Sequence, residues 1–178
     1  NRSNNNHLSF NTQLALVQVK DQPLFLKQLG DGKAFDILYT NMNALKLSGE
    51  LNYTFQEKFS LLASASYSNF SKLDAVTDAF GLIPLEATAG LIWKPIGDLQ
   101  VKADLFYRSG SLYRDSFSLT SRRLSSAVDM NFGVEFGLMP KLNLWLQMNN
   151  LFNNTYQRWN QYPVFGFNVM GGVVYSFQ

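Results

Sequence analysis

Apolar and polar residues alternate along most of the chain. From Leu45 to Phe55 the odd-numbered positions are apolar apart from Gly49, and the even-numbered positions between them are polar. A period of two residues is typical of a β-strand with one apolar and one polar face. The pattern resumes after residues 56–58 and runs from Phe59 to Tyr67, with Leu62 as an exception, so the two runs predict a β-hairpin.

Two further hairpins and two terminal strands repeat this design. Trp145 interrupts the polar face of one strand, and Ala15, Val17 and Val19 blur the alternation of the first. The pattern as a whole predicts an all-β chain of eight antiparallel, up-and-down strands. They are expected near residues 8–19, 37–55, 58–69, 85–94, 99–109, 123–136, 141–150 and 167–177.

The predicted connections alternate in length. Outer-membrane β-barrels combine short periplasmic turns with long extracellular loops, so this asymmetry predicts periplasmic termini and extracellular long loops. The surplus residues 37–43 would then project outward beyond the lipid. The short turns are expected at 56–58, 95–98 and 139–141, and the long polar connections near 20–36, 70–84, 110–122 and 151–166.

Aromatic residues gather near the ends of the predicted strands, as they do in the two interfacial girdles of membrane barrels. A soluble barrel would instead bury its apolar face. The girdles favour the membrane interpretation, in which the apolar side chains meet lipid and the polar ones line the lumen. One set comprises Tyr53, Phe55, Phe59, Trp93, Phe136, Tyr175 and Phe177, and the other Tyr67, Phe70 and Tyr107.

Composition agrees with an apolar outer surface. Of the 178 residues only 16% are charged, against about 25% in typical soluble proteins, whereas 15% are aromatic. The longest unbroken apolar run is Leu14–Val17, far short of the roughly 20 residues that a membrane-spanning helix needs. The net charge of +2 comes without a basic cluster, so nucleic acid is not an expected partner.

The sequence offers little for catalysis. His7 is the sole histidine and lies in a polar stretch without a nearby Asp, which leaves no basis for a Ser-His-Asp triad or a histidine zinc site. The Gly30-Asp31-Gly32-Lys33 segment lacks the spacing of a phosphate loop and is expected to be a turn. We therefore predict no enzyme activity, no cofactor and no metal, with an outer-membrane lipid-modifying enzyme as the last-ranked hypothesis.

The C-terminal region resembles a known family. The run Asn149-Asn150-Leu151-Phe152-Asn153-Asn154-Thr155-Tyr156, followed by Tyr162-Pro163, Gly166 and the Gly171–Phe177 ending, resembles the tail of TonB-dependent outer-membrane receptors, especially those of Bacteroidetes. The resemblance covers the last thirty or so residues in detail and the rest only in hairpin rhythm.

The resemblance implies that residues 1–178 are the C-terminal part of a barrel of twenty-two strands, without the plug domain. Such receptors import scarce ligands with energy passed through TonB, which would act through a plug outside this chain, and a surface lipoprotein is a further implied partner. A complete eight-stranded barrel with a structural or adhesive role remains open, because an even strand number and periplasmic termini suit it equally well.

The ending also resembles the signal that the barrel-assembly machinery reads, a glycine followed by alternating aromatics. Here these are Gly172, Tyr175 and Phe177, although Met170 occupies a usually polar position and Gln178 follows the last aromatic. Interfacial anchoring in lipid is the simpler role for the two aromatics.

Ligand contacts, if present, are expected in the long loops. Flat aromatic rings beside arginine can stack on sugars, cofactors or peptides. The simpler alternative is that these side chains pack loop against loop or touch lipopolysaccharide. The candidates are Tyr113, Arg114, Tyr156, Arg158, Trp159 and Tyr162.

Overall fold

A computed structural model describes residues 6–28, 30, 34–118 and 120–177. Within these ranges the chain forms strands and turns, and it contains no helix long and apolar enough to cross a membrane. The strands are β1 Asn6–Lys27, β2 Phe35–Phe55, β3 Phe59–Ser71, β4 Leu85–Ile96, β5 Leu99–Arg108, β6 Leu112–Arg114, β7 Ser121–Arg123, β8 Ala127–Met139, β9 Leu142–Asn149, β10 Gln157–Trp159, β11 Tyr162–Pro163 and β12 Asn168–Tyr175.

Eight long strands form one antiparallel sheet in the order β1-β2-β3-β4-β5-β8-β9-β12. Each of these strands therefore pairs with the long strands that precede and follow it in the chain, which confirms the predicted up-and-down arrangement. Short turns join β2 to β3, β4 to β5 and β8 to β9 at one end of the sheet, called here the turn end. The longer connections lie at the opposite, loop end. Within the described residues β1 and β12 are not paired with each other, so this sheet is open.

The pairing register places the apolar residues of neighbouring strands side by side. Leu14 pairs with Leu47, Leu47 with Tyr67, and Tyr67 with Leu85. This apolar face is open to its surroundings, with Leu16 86% and Phe10 71% exposed. No described part of the chain packs over it, whereas a soluble barrel would bury these side chains in its centre.

Three aromatic residues of the first predicted girdle lie side by side at the turn end of this face. Phe55 pairs with Phe59, and Phe59 pairs with Trp93 across the next strand boundary. The assignment of Phe70 to the second girdle was wrong. Phe70 pairs with Ala44 and its side chain lies on the polar face, because its even number in β3 puts it opposite to Tyr67.

The first hairpin is longer than predicted, because most of the connection expected at 20–36 continues β1 and β2. A bulge explains the difference: Lys20 and Asp21 together oppose Asn41, between the Val19–Met42 and Gln22–Thr40 pairs. Asp21 adopts a φ of 53°, and its backbone N–H donates to Asn41 Oδ1 at 3.1 Å. One extra residue reverses the side-chain alternation beyond it.

Buried apolar residues lie toward the loop end. Beyond the bulge Leu24 and Leu26 turn to the inner side of the hairpin and are 1% and 4% exposed. Met42, Ala44, Phe80 and Ala127 are the other buried apolar residues in the described part of the chain. The core therefore occupies one end of the sheet and leaves the apolar face uncovered.

The long connections carry small hairpins of their own, β6–β7 and β10–β11. The predicted strand 123–136 consequently begins later, since Arg123 belongs to β7 and β8 starts at Ala127. Gly110 sets the direction of the β6–β7 hairpin. A Cβ atom at this glycine would lie 1.6 Å from the carbonyl oxygen of Leu124, so no other residue fits without moving the backbone.

Candidate ligand pocket

A pocket of about 260 Å³ lies at the loop end of the sheet. Four parts of the chain build it: the loop-end residues of β1 and β2, the connection between β3 and β4, the β6–β7 hairpin and the β10–β11 hairpin. The rings at the pocket include Trp159 and Tyr162, which are 51% and 61% exposed. The lining residues are Phe25, Lys27, Phe35, Gly81, Ser111, Leu112, Tyr113, Arg114, Leu124, Trp159, Asn160 and Tyr162.

The charged groups at the pocket are cationic. Arg114 Nη2 donates to the backbone carbonyl oxygen of Lys27 at 2.8 Å, which ties β6 to the end of β1. The Nε atom of Arg114 is buried and has no hydrogen-bond partner among the described residues. Among the described residues neither Asp nor Glu lines the pocket. The described lining combines flat apolar rings with a guanidinium group that has no ion-pair partner in the described ranges, which suits a planar ligand with negative charge.

The nearest acidic group in sequence is engaged elsewhere. Asp115 Oδ1 accepts hydrogen bonds from the backbone N–H groups of Phe117 and Ser118 at 3.1 and 2.9 Å, and Arg122 lies 3.5 Å from its other oxygen. These backbone hydrogen bonds hold the pKa of Asp115 below its ordinary value of 3.8. The carboxylate thus stabilises the β6–β7 turn instead of neutralising Arg114.

Four of the six predicted loop residues line this pocket: Tyr113, Arg114, Trp159 and Tyr162. Tyr156 lies elsewhere: its hydroxyl donates to Asp129 Oδ2 at 3.3 Å, and its ring packs edge-to-face against Phe106 with the ring centroids 5.6 Å apart. Burial, and then the neighbouring Asp129, raise the pKa of the Tyr156 hydroxyl. Arg158 is not among the lining residues either. Tyr156 therefore attaches the base of its loop to the sheet, through contacts with β5 and β8.

Sequence reasoning missed Phe25, Lys27 and Phe35, which also line the pocket. They fall in the stretch that was expected to be a loop, because the polar residues at the bulge hide the continuation of β1. The signal was the apolar run from Leu24 to Leu26, which a solvated loop does not need.

The asparagine-rich motif after β9 positions the β10–β11 hairpin. Asn150 is 3% exposed and adopts a φ of 50°, a left-handed conformation that asparagine tolerates. Its Nδ2 donates to the carbonyl oxygens of Asn154 and Phe165, both at 2.9 Å, and its Oδ1 accepts from Asn154 N–H at 3.0 Å. One side chain thus joins the two ends of the loop.

A second asparagine explains the glycine of the same motif. Asn153 Oδ1 accepts from the backbone N–H of Phe167 at 2.9 Å, and a Cβ at Gly166 would lie 2.7 Å from that oxygen. The residues that carry the family resemblance therefore form the hydrogen bonds that return the chain to β12.

The three residues of the expected assembly signal lie at the sheet edge and its end. Tyr175 is the last residue of β12 and packs edge-to-face against Phe177, with ring centroids 4.7 Å apart. Gly172 faces Trp145 across the β9–β12 pair. A Cβ at this glycine would lie 2.9 Å from the indole ring, so packing alone already requires glycine here.

Candidate catalytic groups do not converge on a site. His7 is an exposed residue of β1 opposite Thr54. Within the described ranges there is no group of three His, Cys, Asp or Glu residues that could hold a metal ion. In the Gly30–Lys33 segment, Gly30 has a φ of 85° in a turn, and residues 31–33 lie outside the described residues.

Comparisons with known proteins place the fold. No protein-family profile matches the sequence, and no curated protein matches it. Solved structures do match: the siderophore receptor PiuA from Acinetobacter baumannii, with a TM-score of 0.70 and 16% identity over 95% of this chain; the FrpB iron transporter from Neisseria meningitidis, with 0.68 and 17% over 96%; and the ferripyoverdine receptor of the outer membrane of Pseudomonas aeruginosa, with 0.75 and 11% over 96%.

The chain spans only part of these neighbours, covering 26%, 29% and 25% of their lengths, respectively. At such low identities the likeness concerns the fold alone. The eight-stranded sheet has the fold of part of the β-barrel of TonB-dependent outer-membrane receptors.

Proposed function

We propose that this chain is part of the barrel of an outer-membrane receptor that imports a scarce ligand with energy passed through TonB. The observation that carries the proposal is the open sheet, whose apolar face is uncovered on every strand while its two edge strands lack partners within the described residues. In hydrocarbon each unpaired backbone group costs several kcal/mol, so both edges need further strands. The likeness to part of a larger receptor, of whose chain 25% is matched, supports the same conclusion.

The unequal lengths of the connections support an orientation in the membrane. We propose that the turn end faces the periplasm with both termini, and that the loop end with the pocket faces outward. The apolar face would meet membrane lipid, with lipopolysaccharide around the loops. The C-terminal resemblance supports a total of twenty-two strands, a plug outside this chain, recognition of the ending by the assembly machinery, a surface lipoprotein partner and an origin among Bacteroidetes.

Two other functions have less support. A complete eight-stranded barrel would need β1 paired with β12, and the described residues form no such pair. A lipid-modifying enzyme would need catalytic groups close together, and the structural neighbours are described as receptors and transporters. The pocket is the better candidate for a functional site because it collects aromatic rings and an arginine without an ion-pair partner among the described residues.

Uptake by cells that express the native-length protein tests this proposal. The probes are radioactive iron bound to catecholate or hydroxamate chelators, chosen because the neighbours are described as a siderophore receptor, an iron transporter and a ferripyoverdine receptor. We expect one probe to accumulate in a TonB-dependent manner. Trp159→Ala should raise its half-saturating concentration about tenfold, since losing one aromatic stacking contact costs roughly 1–2 kcal/mol.

Phe165→Ala is the matched control, because Phe165 belongs to the same loop, is 91% exposed and does not line the pocket. This variant should transport as the unmodified protein does. Equal uptake by the Trp159 and Phe165 variants would contradict the pocket assignment, and TonB-independent uptake of every probe would contradict the receptor.

A further inference from the structure

A second cavity lies on the polar face of the sheet, below the segment of residues 72–84 that joins β3 to β4. Its volume is about 590 Å³, within the range of roughly 300–1,000 Å³ that is usual for ligand pockets. Gly81 lines both this inner cavity and the outer pocket, so residues 72–84 separate the two. Leu82 and Ile83 form part of the wall of the inner cavity.

The polarity of the inner cavity changes in rows along the strands. Near the loop end, Val17 pairs with Ala44 and Ala44 with Phe70, and Val19 pairs with Met42 in the next row. Toward the turn end the rows are polar: Lys46 pairs with Ser68, and Ser48 with Ser66. Successive rows lie two residues apart along each strand. The four residues from Met42 to Lys46 therefore span about 13 Å of the cavity.

This gradient also explains the irregular alternation of β1. Ala15, Val17 and Val19 lie on the polar face, where the period-two pattern calls for polar residues. They adjoin this cavity, as do Met42 and Phe70. Met42 and Ala44 are already buried by the protein, whereas Val17, Val19 and Phe70 are only half-buried. This remaining apolar surface indicates a ligand with an apolar portion, since it is otherwise unfavourable in water.

The charged residues of the cavity indicate which polar group the ligand carries. Two charged residues line the cavity, Lys46 and Glu86. Glu86 Oε1 lies 3.5 Å from Arg108 Nε and is thereby neutralised. Lys46 has no ion-pair partner among the described residues. The cavity thus presents one uncompensated cation and a rim of serine hydroxyls at one end, and aliphatic side chains at the other.

We propose that the inner cavity binds an amphiphilic anion, with its negative group at Lys46 and its aliphatic part against Val17, Val19 and Phe70 beneath Ile83. The inference rests on the apolar face meeting lipid, as in the proposed function, because the polar face then lines the lumen. It does not depend on which ligand the outer pocket binds.

Photolabelling tests this site. The native-length protein in lipid nanodiscs is labelled with a diazirine derivative of laurate or, for comparison, of dodecanol, and the labelled residues are located by mass spectrometry. We expect the laurate probe to label Val17, Val19 and Ile83. Both probes should label lipid-facing Leu16 and Leu45 from the bilayer, which separately tests the orientation of the sheet.

Lys46→Met should lower laurate labelling of Val17 and Ile83 roughly three- to tenfold and leave dodecanol labelling unchanged, because only the carboxylate loses a charged partner. Lys102→Met is the matched control, since this lysine lies on the same face outside the cavity, 4.0 Å from Glu135. Labelling confined to Leu16 and Leu45 would overturn the proposal and indicate that another part of the polypeptide fills the cavity. Laurate labelling of Val17 that is insensitive to Lys46 would also overturn it, because the anion would then have no site at this lysine.

Discussion

At the scale of single residues, the exceptions to the alternating pattern have specific partners. Trp145 interrupts the polar face of β9 because its indole ring covers Gly172 on the neighbouring strand. A sequence shows the large residue and the small one but not the pairing register that joins them. Without the β9–β12 register, the sequence supports only the interpretation of Gly172 as part of an assembly signal.

Replacing Gly172 by alanine should destabilise the folded protein by about 1–3 kcal/mol, because the new methyl group would overlap the Trp145 ring. The free energy of unfolding in detergent with urea, followed by tryptophan fluorescence, measures this effect. In a Trp145→Ala background the same substitution should cost far less. An equal cost in both backgrounds would show that Gly172 matters for another reason.

At the scale of elements, the segment of residues 72–84 is held at a defined point. Asp74 accepts hydrogen bonds from Thr40 Oγ1 and from the backbone N–H of Asn41, both at 2.8 Å, and from Asn41 Nδ2 at 2.7 Å. Asn41 Oδ1 in turn accepts from Asp21 in the bulge. One carboxylate therefore connects the segment between the two cavities to the bulge of β1.

This attachment should depend on pH. The hydrogen bonds, that of Thr40 first, hold the pKa of Asp74 below its ordinary value of 3.8. A carboxyl group with a lowered pKa stabilises the attached state at every pH above its ordinary pKa. This contribution is lost as the pH falls through the lowered pKa. Because the chain has no cysteine, spin labels at Thr77→Cys and Gln18→Cys can report the position of the segment.

The distance distribution between the labels should be narrow at neutral pH and broaden in strong acid. Asp74→Asn should give a broader distribution that no longer responds to acid in this way, because the uncharged amide accepts weaker hydrogen bonds. Asp98→Asn, at the turn end, should preserve the response. Acid broadening that persists unchanged in the Asp74 variant would contradict this role.

The sequence predicted the strands well and the loop architecture poorly. A period of two residues is a local property, so β2 to β5 and β9 were placed within a few residues of their observed bounds. The bulge at Lys20 and Asp21 shifts that period by one and resembles a loop in composition. The pocket was predicted in part, since aromatic and arginine residues in long loops are visible in a sequence. Its residues on β1 and β2 were missed with the hairpin extension.

At the scale of the whole molecule, the free edges of β1 and β12 decide between a small barrel and part of a larger one. Backbone groups at an edge in lipid must find partners, and the described residues provide none for either edge. Two disulfide experiments in native outer membranes separate the alternatives. Cysteines at Leu14 and Leu47, which pair across β1 and β2, serve as the positive control.

Cysteines at Leu8, Phe10 or Leu14, each combined with Val173→Cys in β12, should fail to cross-link, whereas the Leu14–Leu47 pair should cross-link readily. The protein recovered from the membrane should also be much heavier than the 20.2 kDa of this chain. A β1–β12 cross-link in a particle of that small mass would instead support a complete eight-stranded barrel.

The position of the buried apolar residues has a thermal consequence. Strand faces that meet lipid tails gain little from leaving water, whereas Leu24, Leu26 and Phe80 are withdrawn from water by other parts of the protein. Only such burial carries the large heat-capacity change that makes stability fall on cooling as well as on heating. In the proposed membrane arrangement the loop end of the sheet should therefore loosen in the cold, while the strands within the bilayer remain unaffected.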